Sequence, residues 1–415
     1  MLMQRSGRKV LWVILGLVLS QSGWNISASE RSIPNVHAED LPDVQQIVRE
    51  ALQAIDTSDK QSNAMELAAV AAGLADVGDL ARAREINKEA LQITAAIQND
   101  SGKDLALWQI GKSQAKAGDI KEALHTAAQI RNGYYHVNTL SFIAEAQAKA
   151  KDRTGARNTL KEALKITAKI ENPGSEDMGL GYIAAAQAKI GDIKEALHTA
   201  AALQDTGQDA LNNGDKIREI VEAQVQGKDI KGAIQTAHII QEASTRGQAL
   251  AHIAIAQAEA GDQAGAKETI REVVWTAAEL SPDFEKALVL RDIAAAQKKV
   301  GDETGAREAI RLARQAADNV KGTVDTGSAL SSKAHIYAII GDIEGAVQIA
   351  TTIQDDFHRT WTFTRIADAQ VEAGDIHGAL KSAAAIENSS DRIRVLMDIA
   401  RAVHNRFADT NGNNR

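Results

Sequence analysis

Nine aspartates recur along the chain, and they are the first residues whose type and spacing could do chemistry. They are Asp79, Asp119, Asp152, Asp192, Asp229, Asp262, Asp302, Asp342 and Asp375. A carboxylate can bind a metal or transfer a proton, but it can also accept the free amide hydrogens at the start of a helix. Glycine precedes seven of the nine, and an alanine follows each one by four residues. Because this setting repeats nine times, we interpret all nine aspartates as helix N-caps.

One stretch of the repeat, GDIKEALHTAA, occurs twice without change, at residues 118–128 and 191–201. In both copies a glutamate follows the aspartate by three residues, which predicts a variant of the capping box. The repeat therefore points to a repetitive architecture rather than to a duplicated active site.

Other residue types give no catalytic or metal-binding pattern. The ten histidines include no H-E-x-x-H, and the chain has no Gly-rich phosphate loop and no G-x-S-x-G. The chain has no cysteine, which excludes disulfides, thiolate nucleophiles and cysteine metal sites. We expect no enzyme activity, no cofactor and no bound metal. A helical-toroid hydrolase or lyase would need an aromatic cleft with clustered acids, and the sequence shows no such pattern.

A glutamine stands five residues before most of the aspartates. The column consists of Gln114, Gln147, Gln187, Gln224, Gln257, Gln297 and Gln370, with Tyr337 in the equivalent place of the eighth repeat. Two interpretations are open. The amides could line a groove and bind an extended peptide, or each could cap a backbone group inside the helix stack, because a half-buried amide needs partners. We favour packing.

The elements that position these residues are helices. Segments such as LSFIAEAQAKA before the aspartate and IKEALHTAAQI after it place apolar residues at three- and four-residue spacing. The glycine can end the first helix in the left-handed conformation. After Asp79, Asp152, Asp262 and Asp302 the second helix is predicted to be about two turns longer than in the other repeats.

This pattern resembles the tetratricopeptide repeat family over about residues 61–390. The residues that match its consensus in the third repeat are Leu140, Ile143, Ala144, Gln147, Lys151, Asp152, Ala156 and Ala163. Glutamine replaces the consensus tyrosine in most repeats, the proline after the second helix is missing, and the short repeats lack the second alanine. The resemblance implies an all-α, right-handed α-solenoid of about nine antiparallel hairpins. We expect capping helices at Val44–Ile55 and Arg392–Phe407.

The resemblance also implies a function. First helices of such repeats line a concave face, where partners commonly bind. The residues that this places on the concave face are Trp108, Lys112, Lys116, Glu145, Lys149, Arg218, Glu222, Arg291, Lys298, Lys299, Trp361 and Asp368. Tryptophan and arginine often anchor interfaces, so Trp108 and Trp361 are the leading candidates. We expect a non-catalytic scaffold that binds a protein or peptide. The alternative is a structural element of the cell envelope that self-associates end to end or through its convex face.

The N-terminal segment predicts export. Arg5, Arg8 and Lys9 precede the apolar run Val10–Leu19, and cleavage is expected after Ala28. The expected organisation is therefore a signal peptide at 1–28, or an uncleaved membrane anchor, and a linker with the first capping helix at 29–60. Nine repeats follow at 61–390, and a capping helix with a disordered tail at 391–415. The body would be periplasmic or secreted. The net charge of −8 argues against nucleic acid as a partner.

Overall fold

The computed structural model describes residues 42–203, 209–281, 284–319 and 327–412, and the regular elements in these ranges are α-helices. One helix stands before the hairpins and one after them: α1 (Val44–Gln53) and α20 (Ser389–Gly412). The first helices of the hairpins are α2 (Lys60–Asp76), α4 (Asp100–Lys116), α6 (Gly133–Lys149), α8 (Pro173–Lys189), α10 (Asp209–Gln226), α12 (Ala243–Glu259), α14 (Phe284–Lys299), α16 (Gly327–Ile339) and α18 (Asp356–Ala373). The second helices are α3 (Leu80–Ala95), α5 (Ile120–Ala127), α7 (Arg153–Thr167), α9 (Ile193–Ala200), α11 (Ile230–Ala237), α13 (Gln263–Glu279), α15 (Glu303–Asp318), α17 (Ile343–Thr352) and α19 (Ile376–Ala384). The predicted all-α solenoid of nine hairpins is confirmed.

The turn inside each hairpin has the predicted left-handed residue. The seven glycines that precede the aspartates have φ between 79° and 89°. In the third and fifth repeats a lysine takes the glycine's place, and Lys151 and Lys228 have φ of 68° and 62°. A side chain is strained in this conformation, so these two turns are less favourable than the other seven.

The capping prediction holds for seven of the nine aspartates and is wrong for Asp119 and Asp192. In six capped turns the carboxylate accepts the amide of a glycine three residues on, as Asp152 does from Gly155 at 2.8 Å. A β-carbon at such a glycine would collide with the aspartate carboxylate. Asp79 has Arg82 instead of glycine three residues on, and it accepts that amide over a longer distance of 3.2 Å.

The two uncapped aspartates belong to the duplicated stretch, where glutamate takes the glycine's place. Neither carboxylate forms a side-chain cap. A β-carbon at this position does not by itself exclude the cap, because Asp79 still accepts the amide of Arg82. Each of the two uncapped carboxylates instead pairs with an arginine of the preceding second helix. Arg84 contacts Asp119 at 2.7 Å, and Arg157 contacts Asp192 at 2.5 Å.

Six of the seven glutamines are buried, as the packing interpretation predicts, but the expected bonds to backbone groups are not what holds them. The buried amide oxygens of Gln187, Gln224 and Gln297 have no hydrogen-bond partner among the described residues. In four repeats the glutamine oxygen accepts a hydrogen bond from a hydroxyl of the second helix, twelve residues on, at 2.7–2.8 Å. These pairs are Gln114–Thr126, Gln147–Thr159, Gln257–Thr269 and Gln370–Ser382. All four glutamines are buried and cannot line an open groove.

The helices form an inner and an outer layer. Each first helix packs against the first helices on either side of it, whereas the described second helices contact first helices and not each other. Helices that do not touch their equivalents lie on the longer, outer circumference. The alanine that follows each aspartate by four residues is fully buried in all nine repeats, where a larger side chain would separate the crossing helices.

The two ends of the array pack together and close it into a ring. Helix α20 contacts α18 on one side and α2 on the other, so ten helices form a continuous inner layer. Helix α1 packs on the outside of α20 and acts as its second helix. The tenth hairpin is therefore assembled from the last helix and the first. Ile47 and Val48 of α1 share one buried core with Leu74 of α2 and Met397 of α20.

A buried carboxylate joins the two ends. Glu66 of α2 is only 2 % exposed and accepts the backbone amide of Asp56 at 2.7 Å. It also accepts the hydroxyls of Ser389 and Ser390 at the start of α20. Because the Glu66 carboxylate would otherwise be buried with fewer partners, its bonds to Ser389 and Ser390 favour the closed arrangement.

The terminal helices therefore differ from the predicted caps, which would each have covered an open end of the stack. The last helix also reaches Gly412, so part of the tail that we expected to be disordered is helical. The predicted signal segment at 1–28 lies outside the described residues. Within the described ranges, the helices are all too short or too polar to cross a membrane.

Candidate binding site on the inner wall

The inner layer encloses a space at the centre of the ring. Ten helices arranged in a circle at a spacing of about 9 Å would form a ring roughly 30 Å across, measured between helix axes. A helix with its side chains is about 10 Å thick, so roughly 20 Å would remain between opposite walls. Closure therefore turns the predicted concave face into the wall of a channel. All twelve predicted binding residues lie on five inner helices, α4, α6, α10, α14 and α18.

Several of the predicted residues meet in two neighbouring cavities in this wall. Lys112, Lys116, Glu145 and Lys149 line a cavity of about 570 Å³ between α2, α4, α6 and α20. Glu145 and Lys149 also line a second cavity of about 480 Å³, together with Glu222. Both volumes fall in the range of cavities that hold small ligands.

Lys112 stands out in the larger cavity. Its Nζ lies 4.5 Å from the centre of the Trp108 ring and 4.4 Å from that of Phe142, so the ammonium is held between two aromatic faces. Burial, with added repulsion from Lys116 and Lys216, lowers the pKa of Lys112 to about 8. No carboxylate of the described residues lies within ion-pair distance of this nitrogen.

Most of the other charged residues of this cavity form ion pairs. Several of them lie on α20, which reaches the cavity because the ring closes. Asp76 of α2 contacts Lys116 at 2.6 Å and Arg401 of α20 at 3.5 Å. Asp398 accepts from Arg394 at 3.0 Å and from Arg401 at 2.6 Å. Burial raises the pKa of Asp398, and both arginines oppose this shift. The ion pairs therefore fix one side of the cavity and also connect the two ends of the chain.

The cavity as a whole carries an excess of positive charge. It is lined by five basic residues, Lys112, Lys116, Lys149, Arg394 and Arg401, and by three acidic ones, Asp76, Glu145 and Asp398. The protein, in contrast, has a net charge of −8. Positive charge is thus concentrated in this cavity of an acidic molecule.

The smaller cavity is lined by a chain of ion pairs across three inner helices. Lys189 of α8 lies 3.3 Å from Glu145 of α6 and 2.8 Å from Glu219 of α10. Lys216 also contacts Glu219, at 2.5 Å, and Arg218 pairs with Glu222. Burial raises the pKa of Glu145, although Lys189 acts against the shift.

Aromatic residues form a wall beside Lys112. The Trp108 indole donates to Oδ1 of Asn138 at 2.7 Å, and its ring centre lies 5.3 Å from that of Tyr135. The hydroxyls of Tyr134 and Tyr182 are 3.1 Å apart. Trp108 therefore uses its polar atom within the wall, and its ring faces the Lys112 ammonium, whereas Phe142 lines the cavity itself.

The predicted residues on α14 and α18 line neither of these two cavities. Arg291 pairs with Asp292 at 2.7 Å, Lys299 with Glu259 at 2.6 Å and Asp368 with Arg394 at 3.1 Å. Trp361 packs edge-on against His335 at 5.5 Å. Burial, with the charges of Arg365 and Arg291, lowers the pKa of His335 to about 4. Lys298 is exposed and lines neither cavity.

Sequence reasoning missed the contribution of the last helix and of one aromatic residue. Arg394, Asp398 and Arg401 recur at spacings of four and three on one face of α20, a signal that was present but was assigned to an isolated cap. Phe142 precedes the predicted Glu145 by three residues, which places both on one face of α6. In the part of the chain that the structure describes, no group of three or more His, Asp or Glu side chains is arranged to hold a metal ion.

The similarity of this chain to known proteins does not identify the binding site. No family model matches the chain, and no curated protein matches it. Among solved structures, it is similar to Ton1535 from Thermococcus onnurineus NA1, with 17% identity and a TM-score of 0.32 over 79% of this chain and 98% of that one. It is also similar to a circular tandem repeat protein with novel repeat topology, with 13% identity and a TM-score of 0.22 over 88% and 91% of the two chains. Both TM-scores are low, so the fold assignment depends on the helix contacts of this chain itself.

Proposed function

We propose that this protein is a non-catalytic scaffold that binds a protein or peptide partner on the inner wall of its ring. The observation that carries the proposal is the concentration of positive charge and aromatic faces around Lys112, on a wall that closure makes continuous. Ring faces and unpaired charges are what a partner's side chains can use. In contrast, the acids of this wall, Asp76, Glu145 and Asp398, are held by lysine or arginine, which fits a binding role better than proton transfer.

The finer assignments belong to the same proposal. We place the repeats in a tetratricopeptide-like class, on the helix-turn-helix unit and the consensus positions that match in the sequence. We also propose that residues 1–28 export the protein, so that the ring works in the periplasm or outside the cell. Nucleic acid is not the expected partner, because the protein is acidic overall.

Self-association is the second candidate, and one observation favours it. Ile239 and Trp275 are 58 % and 55 % exposed. Each stands within three residues of one member of the pair His238–Glu272, whose side chains are 2.7 Å apart. Such an apolar pair on the convex side could contact a second copy. Association end to end is disfavoured, because α1, α2 and α20 already cover one another.

Site-specific photo-crosslinking separates the two candidates. A photoreactive amino acid replaces Gln109 in the inner cavity, Lys161 on the exposed face of α7, or Trp275 on the convex side, and each protein is irradiated in its native envelope. The scaffold proposal predicts that a different protein is captured from position 109 and not from 161. Equal capture from 109 and 161, or none from 109, would contradict it. A crosslinked dimer from position 275, with a dimer mass by light scattering, would support self-association.

A further inference from the structure

Lys112 is held in an unusual setting for a lysine. Its ammonium sits between the rings of Trp108 and Phe142, in a cavity, and no described carboxylate is close enough to pair with it. Its neighbour one turn on, Lys116, has the ordinary arrangement, with Asp76 at 2.6 Å. The two lysines therefore share a helix and a cavity but differ in their partners.

A partly buried lysine without an ion-pair partner releases its proton more readily than an exposed lysine, although Glu145 and the two ring faces still favour the ammonium. Removal from water disfavours the charged form, and nearby positive charges act in the same direction. A neutral amine is a nucleophile, and lysines desolvated in apolar surroundings or placed beside another cation react with carbonyl compounds. A desolvated charged group lowers the stability of the folded protein, so its retention indicates a functional role.

We propose that Lys112 condenses reversibly with an aldehyde or ketone in the 570 Å³ cavity. The ammonium first gives one proton to solvent, and the free amine nitrogen attacks the carbonyl carbon. The carbonyl oxygen takes up protons and leaves as water, and a protonated imine remains. The lysine and the carbonyl compound thus yield the imine and one water, with the single positive charge conserved and no oxidation or reduction.

The same cavity stabilises the product. The protonated imine keeps the positive charge of the ammonium at the same place, so the faces of Trp108 and Phe142 continue to attract it. The apolar lining from Ala68, Ala72 and Met397 can cover the rest of the ligand. The ligand is therefore expected to be a carbonyl compound with a small apolar or aromatic body. The inference goes beyond the scaffold proposal and does not depend on a protein partner.

Reductive trapping tests the inference. The full chain is treated at pH 7 with benzaldehyde and cyanoborohydride, which reduces an imine to a stable secondary amine, and each lysine is then quantified by peptide mass spectrometry. With a pKa of about 8 instead of 10.5, Lys112 has roughly 300 times more free amine at pH 7. A less basic amine is also a weaker nucleophile, so we expect Lys112 to be trapped at least about tenfold faster than Lys116.

Two variants keep the test decisive. Lys112→Arg retains the charge but has no reactive amine, so the fast-reacting site should disappear while circular dichroism stays unchanged. Phe142→Ala should let water reach the amine and slow the trapping of Lys112 at pH 7. The inference is wrong if Lys112 reacts no faster than Lys116, or if its reactivity rises only above pH 10. Either result would leave partner capture from position 109 untouched.

Discussion

Substitution of one buried residue in α1 should loosen a helix about 350 residues away in the sequence. Ile47 is fully buried where α1 packs on α20. Ile47→Ala removes three carbons, and loss of burial together with the remaining cavity should lower the free energy of unfolding by about 2–4 kcal/mol. A ten-residue helix does not persist alone in water, so α1 should detach before the rest of the ring unfolds.

Hydrogen exchange measures this effect directly. Release of α1 uncovers the outer face of α20, whose amides should exchange about 30-fold faster or more, since each 1.4 kcal/mol is a factor of ten. The helices α8 and α10 should exchange at the wild-type rate. Gln46→Ala, an exposed position on the same helix, is the matched control and should leave α20 unchanged.

A different pattern of hydrogen exchange would contradict this account. If the N-terminal helix only covered the first hairpin, Ile47→Ala would speed exchange in α2 and α3 and leave α20 as it was. A free energy change below about 0.5 kcal/mol would also contradict the account, because that is the size expected for an exposed position.

Three further predictions concern the turns and the cavity. Lys151→Gly should stabilise the protein by about 1 kcal/mol in urea unfolding, because Lys151 has φ of 68°, whereas Gly118→Ala at the equivalent turn should destabilise it. Asp152→Ala should lower the free energy of unfolding by about 1 kcal/mol, because it removes a helix cap. Asp119→Ala should lower it by less, because Asp119 forms no side-chain cap and only an exposed pair with Arg84. Equal losses for the two variants would contradict the assignment of caps. Lys112→Met should raise the melting temperature at pH 7, because it removes a desolvated charge. The difference in melting temperature between the variant and the wild type should shrink between about pH 8 and 10.5. In this window the unfolded wild type binds more protons than the folded form, so the stability of the wild type rises with pH. A difference that is independent of pH would show that Lys112 titrates normally.

Much of the fold follows from local sequence signals. The length of each second helix, the left-handed residue before each aspartate and the buried alanine column all depend on residues within one repeat. Asp119 and Asp192 show the limit of this reasoning, because their carboxylates respond to arginines 35 residues upstream. The glutamate that predicts a capping box does not secure the side-chain cap in either copy.

Ring closure could not be predicted in the same way. Whether an array of hairpins closes depends on small rotations added over nine repeats, and no single repeat encodes the sum. Glu66 is a buried carboxylate that looks like any other polar residue of a helix until Ser389 and Ser390 reach it. The cavity at Lys112 depends on the same closure, since α20 supplies Arg394, Met397 and Arg401 to its wall.

The most direct test of closure is a disulfide between the two ends. A β-carbon at Gly73 would lie 2.7 Å from that of Met397, and the two β-carbons of a disulfide are about 3.8 Å apart, so a shift of about 1 Å suffices. The native chain has no cysteine, so the variant Gly73→Cys/Met397→Cys can form only this bond within one molecule. The closed ring predicts rapid, nearly complete oxidation at low protein concentration and a mobility shift on non-reducing gels. The pair Gly73→Cys/Ala295→Cys should stay reduced, and failure of the first pair to oxidise faster than this control would contradict the closed ring.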